Sequence, residues 1–148
     1  MKRLMLSLVL LLFPLTAIAG EKVSGTNFFV VDNQSWETGD GTGYWIWHGE
    51  GVHYSAEGPL GTVPTECHGA GFWDANGPWG EGICVYGSGD DVRTIRWWNE
   101  KGEKTHHWEN LSGTGKFAGM TGQGTYVSKP LPDDRHMSEW EGEVTLAE

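Results

Sequence analysis

The chain has 148 residues, with 10 Lys and Arg against 20 Asp and Glu and a formal charge of −10 at pH 7, which disfavours nucleic acid or an anionic membrane as a partner. Its 23 glycines follow no fixed period, which excludes a collagen-like repeat and points to turns, bulges and close strand approaches. The spacing of Cys67 and Cys84 matches no C-x-x-C redox or zinc motif.

Residues 1–19 open with Lys2 and Arg3, continue through an apolar run from Leu4 to Leu15 and close on Ala17-Ile18-Ala19, the three-part layout of a secretory signal peptide. Cleavage is expected after Ala19, because the run falls short of the roughly 20 apolar residues that a spanning helix needs. Residues 20–148 then form a single domain, secreted or periplasmic. In that setting an even cysteine count reads as one disulfide.

Apolar, aromatic and β-branched runs bounded by Gly, Asn and Asp clusters predict strands near 27–33, 43–55, 65–73, 79–88, 92–99, 103–109, 113–118, 121–129 and 137–146. No helical period follows the leader. Eight or nine short strands joined by short turns imply an antiparallel meander, and closing it into a small barrel removes the exposed edges. A two-sheet sandwich is the alternative. The hairpin around Asp74-Ala75-Asn76-Gly77 pairs Trp73 with Pro78, and the same register carries Cys67 opposite Cys84. A register shifted by two would put Tyr86 there instead. In the last strand Trp140, Val144 and Leu146 share one face while Glu139, Glu141 and Glu143 share the other, which marks it as half-buried.

Nine tryptophans ask for a large buried space, either as plain packing or as the lining of a pocket for a flat or hydrophobic ligand. Strand alternation puts Trp45, Trp47 and His53 on one face, Arg96 with Trp98, and His106 with Trp108. Across the hairpin, Cys67, Trp73 and Tyr86 also share a face. Turned inward, these side chains make a cavity of aromatics with His53, Arg96 and His106 as its polar groups. The opposite parity would turn Tyr44, Ile46, His48, Glu50 and Val52 inward, and alternation alone leaves both parities open.

Adjacent His106 and His107 point to opposite faces, and His48 and His53 stand five apart; neither spacing is a zinc motif, so neither a metal nor a cofactor is expected. No G-x-S-x-G nucleophile elbow occurs. Glu50 near His48 or His53 offers a candidate acid–base pair.

The run Gly113-Thr114-Gly115-Lys116-Phe117-Ala118-Gly119-Met120-Thr121-Gly122-Gln123-Gly124-Thr125-Tyr126 reads as strand, tight turn, strand, with Gly119 and Gly122 bracketing the turn. It resembles the penultimate hairpin of allene-oxide-cyclase-like barrels, a group related to plant dirigent proteins and with a bacterial secreted branch. The cysteine hairpin and the Trp140 strand are similar to those of the secreted members. The resemblance implies an eight-stranded antiparallel barrel of the calycin kind, whose lumen guides cyclisation or coupling of a hydrophobic substrate without a metal. The functional carboxylates of those barrels match no residues of this chain one by one.

The expectation is therefore an all-β barrel binding a small hydrophobic or aromatic molecule in its lumen. Two alternatives stand beside it. One is a cofactor-free isomerase or cyclase that uses Glu50, His53 or His106 to handle a proton, and the other is a structural barrel with a filled core.

Overall fold

The computed structural model describes residues 20–147, so the leader expected over residues 1–19 lies outside it. Eight antiparallel strands run in sequence order: β1 (Glu21–Gly39), β2 (Thr42–Glu57), β3 (Val63–Asp74), β4 (Gly77–Ser88), β5 (Asp91–Asn99), β6 (His106–Gly113), β7 (Thr121–Leu131) and β8 (Arg135–Thr145). β8 pairs back onto β1, which closes the barrel and leaves no edge strand. The sandwich alternative is thereby set aside.

Three boundaries differ from the sequence reading. β1 extends well beyond 27–33 at both ends, since it pairs with β8 over Glu21–Val30 and with β2 from Ser24 to Gly39. Its far end is polar and exposed, so ladder bonds rather than apolar alternation hold it extended. No strand occupies 113–118; residues Gly115–Phe117 form a turn of 3-10 helix instead, and β6 starts at His106 rather than at 103. Gly115 and Gly119 both take positive φ there, so the expected hairpin over Gly113 to Tyr126 is a strand end, a helical turn and then a strand. The apolar signal of Phe117 came from plugging the barrel, not from strand alternation.

That plug closes one end. Phe117, Met120, Leu60, Val23 and Val144 are all buried together there, each worth roughly 1.5–3 kcal/mol of apolar burial for a large side chain. At the opposite end the β1–β2, β3–β4, β5–β6 and β7–β8 connections surround the mouth. The β3–β4 turn is a two-residue connection: Asp74 pairs with Gly77, the Asn76 amide donates to Asp74 Oδ1 at 2.8 Å, and the register runs down to Cys67 opposite Cys84. Those two cysteines are joined by a disulfide that ties β3 to β4.

Inward positions on these strands are filled by large aromatics laid over glycines. Trp97 lies across Gly69 and Gly82, which are paired on β3 and β4; a Cβ on Gly82 would stand 2.6 Å from Trp97 Cζ2. Trp45 covers Gly71 and Gly80 in the same way, at 2.5 and 2.6 Å. A glycine beneath each indole lets the ring lie flat on the wall, and the space along the axis stays open.

Candidate functional site

The lumen holds a cavity of about 720 Å³, within the range of roughly 300–1,000 Å³ common for small-molecule sites. A side-chain-filled barrel is therefore not what this sequence builds. Trp45, Trp47, Trp97 and Trp108 form its aromatic belt. Trp45 and Trp97 stack nearly parallel, with centroids 6.3 Å apart, and Trp47 meets the edge of Trp97 at 6.1 Å.

Seven of the nine residues expected to line the lumen do so: Trp45, Trp47, His53, Trp73, Tyr86, His106 and Trp108. Arg96 and Trp98 do not, and the reading is corrected for both. β4 and β5 pair Cys84 with Ile95 and Tyr86 with Arg93, so the inward face of β5 carries the odd-numbered residues Arg93, Ile95, Trp97 and Asn99. Arg96 points outward, where its Nε donates to Glu81 Oε2 at 2.8 Å and its guanidinium lies 5.1 Å over Trp98. Both faces of this strand hold one arginine and one tryptophan. Side-chain type therefore could not tell them apart.

The sequence reading missed several lining residues, among them Asn27, Trp97, Tyr126, His136 and Trp140, and above all Arg93. It is 3% exposed and sits toward the closed end of the lumen among Asn27, His53, Tyr86 and Ser138. The signal that could have found it was the Ser88-Gly89-Asp90-Asp91 turn, which fixes the β4–β5 register once Cys84 is placed inward.

These groups form a chain of hydrogen bonds. Asn27 Nδ2 donates to Ser138 Oγ at 3.2 Å, and Asn27 Oδ1 lies 2.7 Å from His53 Nδ1. An amide oxygen only accepts, so His53 carries its proton on Nδ1 and turns the lone pair of Nε2 toward Arg93 Nη2, 3.3 Å away. Burial, reinforced by the Arg93 cation, holds the His53 pKa down to about 3. The imidazole is neutral and is sandwiched against Trp140, with centroids 4.5 Å apart. Burial likewise pulls Arg93 down to about 10, which leaves it a cation at neutral pH, and its guanidinium rests 4.5 Å over the Tyr86 ring. Burial raises the Tyr86 and Tyr126 phenols above their ordinary range.

Among the described residues, no carboxylate faces Arg93, and the one acidic residue lining the cavity is Asp74 at the mouth, paired with Lys101. Arg93 Nη1, Trp97 Nε1, Trp140 Nε1 and His106 Nδ1 are buried with no hydrogen-bond partner among the described residues. A buried donor left so costs about 1–3 kcal/mol, and more for a charged group.

Of the three groups expected to handle a proton, Glu50 lies exposed on the outer wall, which removes it from the lumen. His53 is locked between Asn27 and Arg93. His106 alone stands in the lumen with a ring nitrogen uncommitted, 5.0 Å from Tyr126, its pKa lowered chiefly by burial. Among the described residues, the grouping with three ligand-type side chains in ligating reach is His48, Glu66 and His68, outside the barrel.

No protein-family model matches the chain, and no curated protein does.

Proposed function

We propose that this barrel binds a small hydrophobic or aromatic molecule bearing an anionic group, most simply a carboxylate, with the apolar body in the tryptophan belt and the anion on Arg93. The single observation that carries this reading is Arg93: a nearly fully buried cation in the lumen whose neighbours are a neutral imidazole, a phenol ring and no acid. Burying an uncompensated charge costs several kcal/mol, and an anionic ligand would offset that cost while also satisfying Arg93 Nη1. The indole N–H of Trp97 and the ring nitrogen of His106 are further orienting groups for a polar substituent.

The barrel acts outside the cytoplasm in this reading. The leader layout of residues 1–19 and the Cys67–Cys84 disulfide support export. Carboxylates such as Glu139, Glu141 and Glu143 on the outer face of β8 suit water rather than lipid.

The test is a titration of tryptophan fluorescence in the mature protein with aromatic carboxylates and fatty acids, each beside its matched primary alcohol. Saturable quenching or enhancement by the acids, with clearly weaker response to the alcohols, is expected. No response to any member of either series would overturn the reading.

A further inference from the structure

On the outer wall, away from the lumen, His48 on β2 and His68 on β3 are directly paired across the strands, and their rings stack with centroids 4.5 Å apart and planes 10° from parallel. The pairing aims both imidazoles at one carboxylate: His68 Nε2 lies 2.9 Å and His48 Nε2 3.4 Å from the same oxygen, Glu66 Oε1. Glu50, paired opposite Glu66, brings its own Oε1 to 3.7 Å from His48 Nε2. The ligand atoms of His48, Glu66 and His68 all fall within 4.8 Å of one another.

We propose that His48, His68 and Glu66 form a binding site for a divalent transition-metal ion of the zinc or copper class, with Glu50 as a further ligand. The argument begins with the separations. Bonds of about 2.0–2.2 Å to imidazole nitrogen and carboxylate oxygen put neighbouring ligand atoms roughly 3–3.5 Å apart on a tetrahedral or octahedral polyhedron. The two nitrogen-to-oxygen separations here are 2.9 and 3.4 Å and all three ligand atoms lie within 4.8 Å of one another, so an ion would turn the stacked imidazoles toward each other while the carboxylate stays in place. His48 Nε2 is shielded from water yet makes no well-directed hydrogen bond among the described residues, so no strong existing contact is given up when it meets an ion. Two imidazoles with carboxylate oxygen select zinc, copper or nickel over magnesium or calcium, and the two carboxylates balance the charge of a divalent ion.

The strands make this site rigid. β2 and β3 are held by their ladder on both sides, and β3 is tied to β4 by the disulfide through Cys67, next to His68. Local spacing along the sequence had pointed away from a metal, because the partner of His48 stands twenty positions on, across the sheet.

The experiment is calorimetric titration of untagged mature protein with Zn²⁺ and with Cu²⁺, using Mg²⁺ as control, beside thermal melts with and without each ion. Saturable one-to-one binding of Zn²⁺ or Cu²⁺ that raises the melting temperature is expected, with none for Mg²⁺. Loss of a supporting outer contact commonly weakens metal sites 10–100-fold, so His68→Gln and Glu66→Gln, which remove ligands, should each weaken binding by at least about tenfold. Circular dichroism reports whether each variant is folded, and two separate substitutions guard against the failure of one. The proposal is overturned if wild-type protein binds neither ion saturably, or if both folded variants bind as tightly as wild type.

Discussion

Arg93 Nη2 donates to His53 Nε2 across 3.3 Å in the interior of the barrel, so a buried cation is held by a neutral imidazole instead of a carboxylate. The contact adds to burial, the larger cause, in holding the His53 pKa down, and it leaves the positive charge of Arg93 uncompensated by any acidic side chain beside it among the described residues. Under the function proposed above, such a site would discriminate by charge.

Replacing Arg93 separates ligand recognition from stability. Arg93→Met should weaken binding of an aromatic or fatty carboxylate by about 10–100-fold, the equivalent of losing a charged hydrogen bond of roughly 1.5–3 kcal/mol, while binding of the matched alcohol changes little. The same variant should melt at the wild-type temperature or above, because a buried lone charge is removed. Fluorescence titration and a thermal melt of one preparation measure both.

Inward and outward tryptophans on β5 should behave differently. Trp97→Ala is expected to abolish most of the fluorescence response to ligand, whereas Trp98→Ala and Arg96→Ala should leave the titration unchanged, since both side chains lie outside. An equal effect from Trp98→Ala would mean that the ligand binds on the outer wall.

Stability should fall with acid before carboxylates are protonated in bulk. His53 stays neutral in the folded protein down to about pH 3 but takes up a proton near 6.5 when unfolded. Between those values the unfolded chain binds the extra proton, so the contribution of His53 is complete above pH 6.5 and declines as pH drops toward 3. His106 and His136, also lowered by burial, act with the same sign. Unfolding free energies from urea titrations at pH 7.5 and pH 5 should differ by an amount on the order of 1–2 kcal/mol, and His53→Gln should flatten that dependence.

Glycine beneath indole is a packing requirement that a single methyl tests. Gly82→Ala places a Cβ 2.6 Å from Trp97 Cζ2 and 2.7 Å from the Gly69 Cα, so the ring and the facing strand must both shift. A loss of roughly 1–3 kcal/mol is expected from such overpacking, read as a lower denaturation midpoint together with altered near-ultraviolet dichroism of the tryptophans.

Reducing the disulfide should destabilise without opening the barrel. Cys67 and Cys84 are 17 residues apart, and a loop of that length contributes on the order of 3 kcal/mol. Urea unfolding with and without reductant, beside the Cys67→Ala and Cys84→Ala double variant, measures the contribution; equal midpoints would refute it.

Alternation, turn residues and two cysteines were enough to read an antiparallel meander of eight or nine strands closing into a barrel, the register of its β3–β4 hairpin and the disulfide that follows from it, because these are consequences of local geometry repeated along the chain; the count of eight came with the family resemblance. That Trp45, Trp47 and His53 share one face of β2, and His106 and Trp108 one face of β6, was readable. Which face turned inward was not. Alternation divides a strand into two faces but assigns neither to the concave side; that assignment comes from the chain of pairings around the closed sheet. On β5 this decided between Arg96 with Trp98 and Arg93 with Trp97, two faces alike in composition. Closure also set His48 beside His68 and His53 beside Arg93, pairs separated by 20 and 40 positions that no local pattern joins. Contacts across strands depend on register and curvature together, and curvature is a property of the whole barrel.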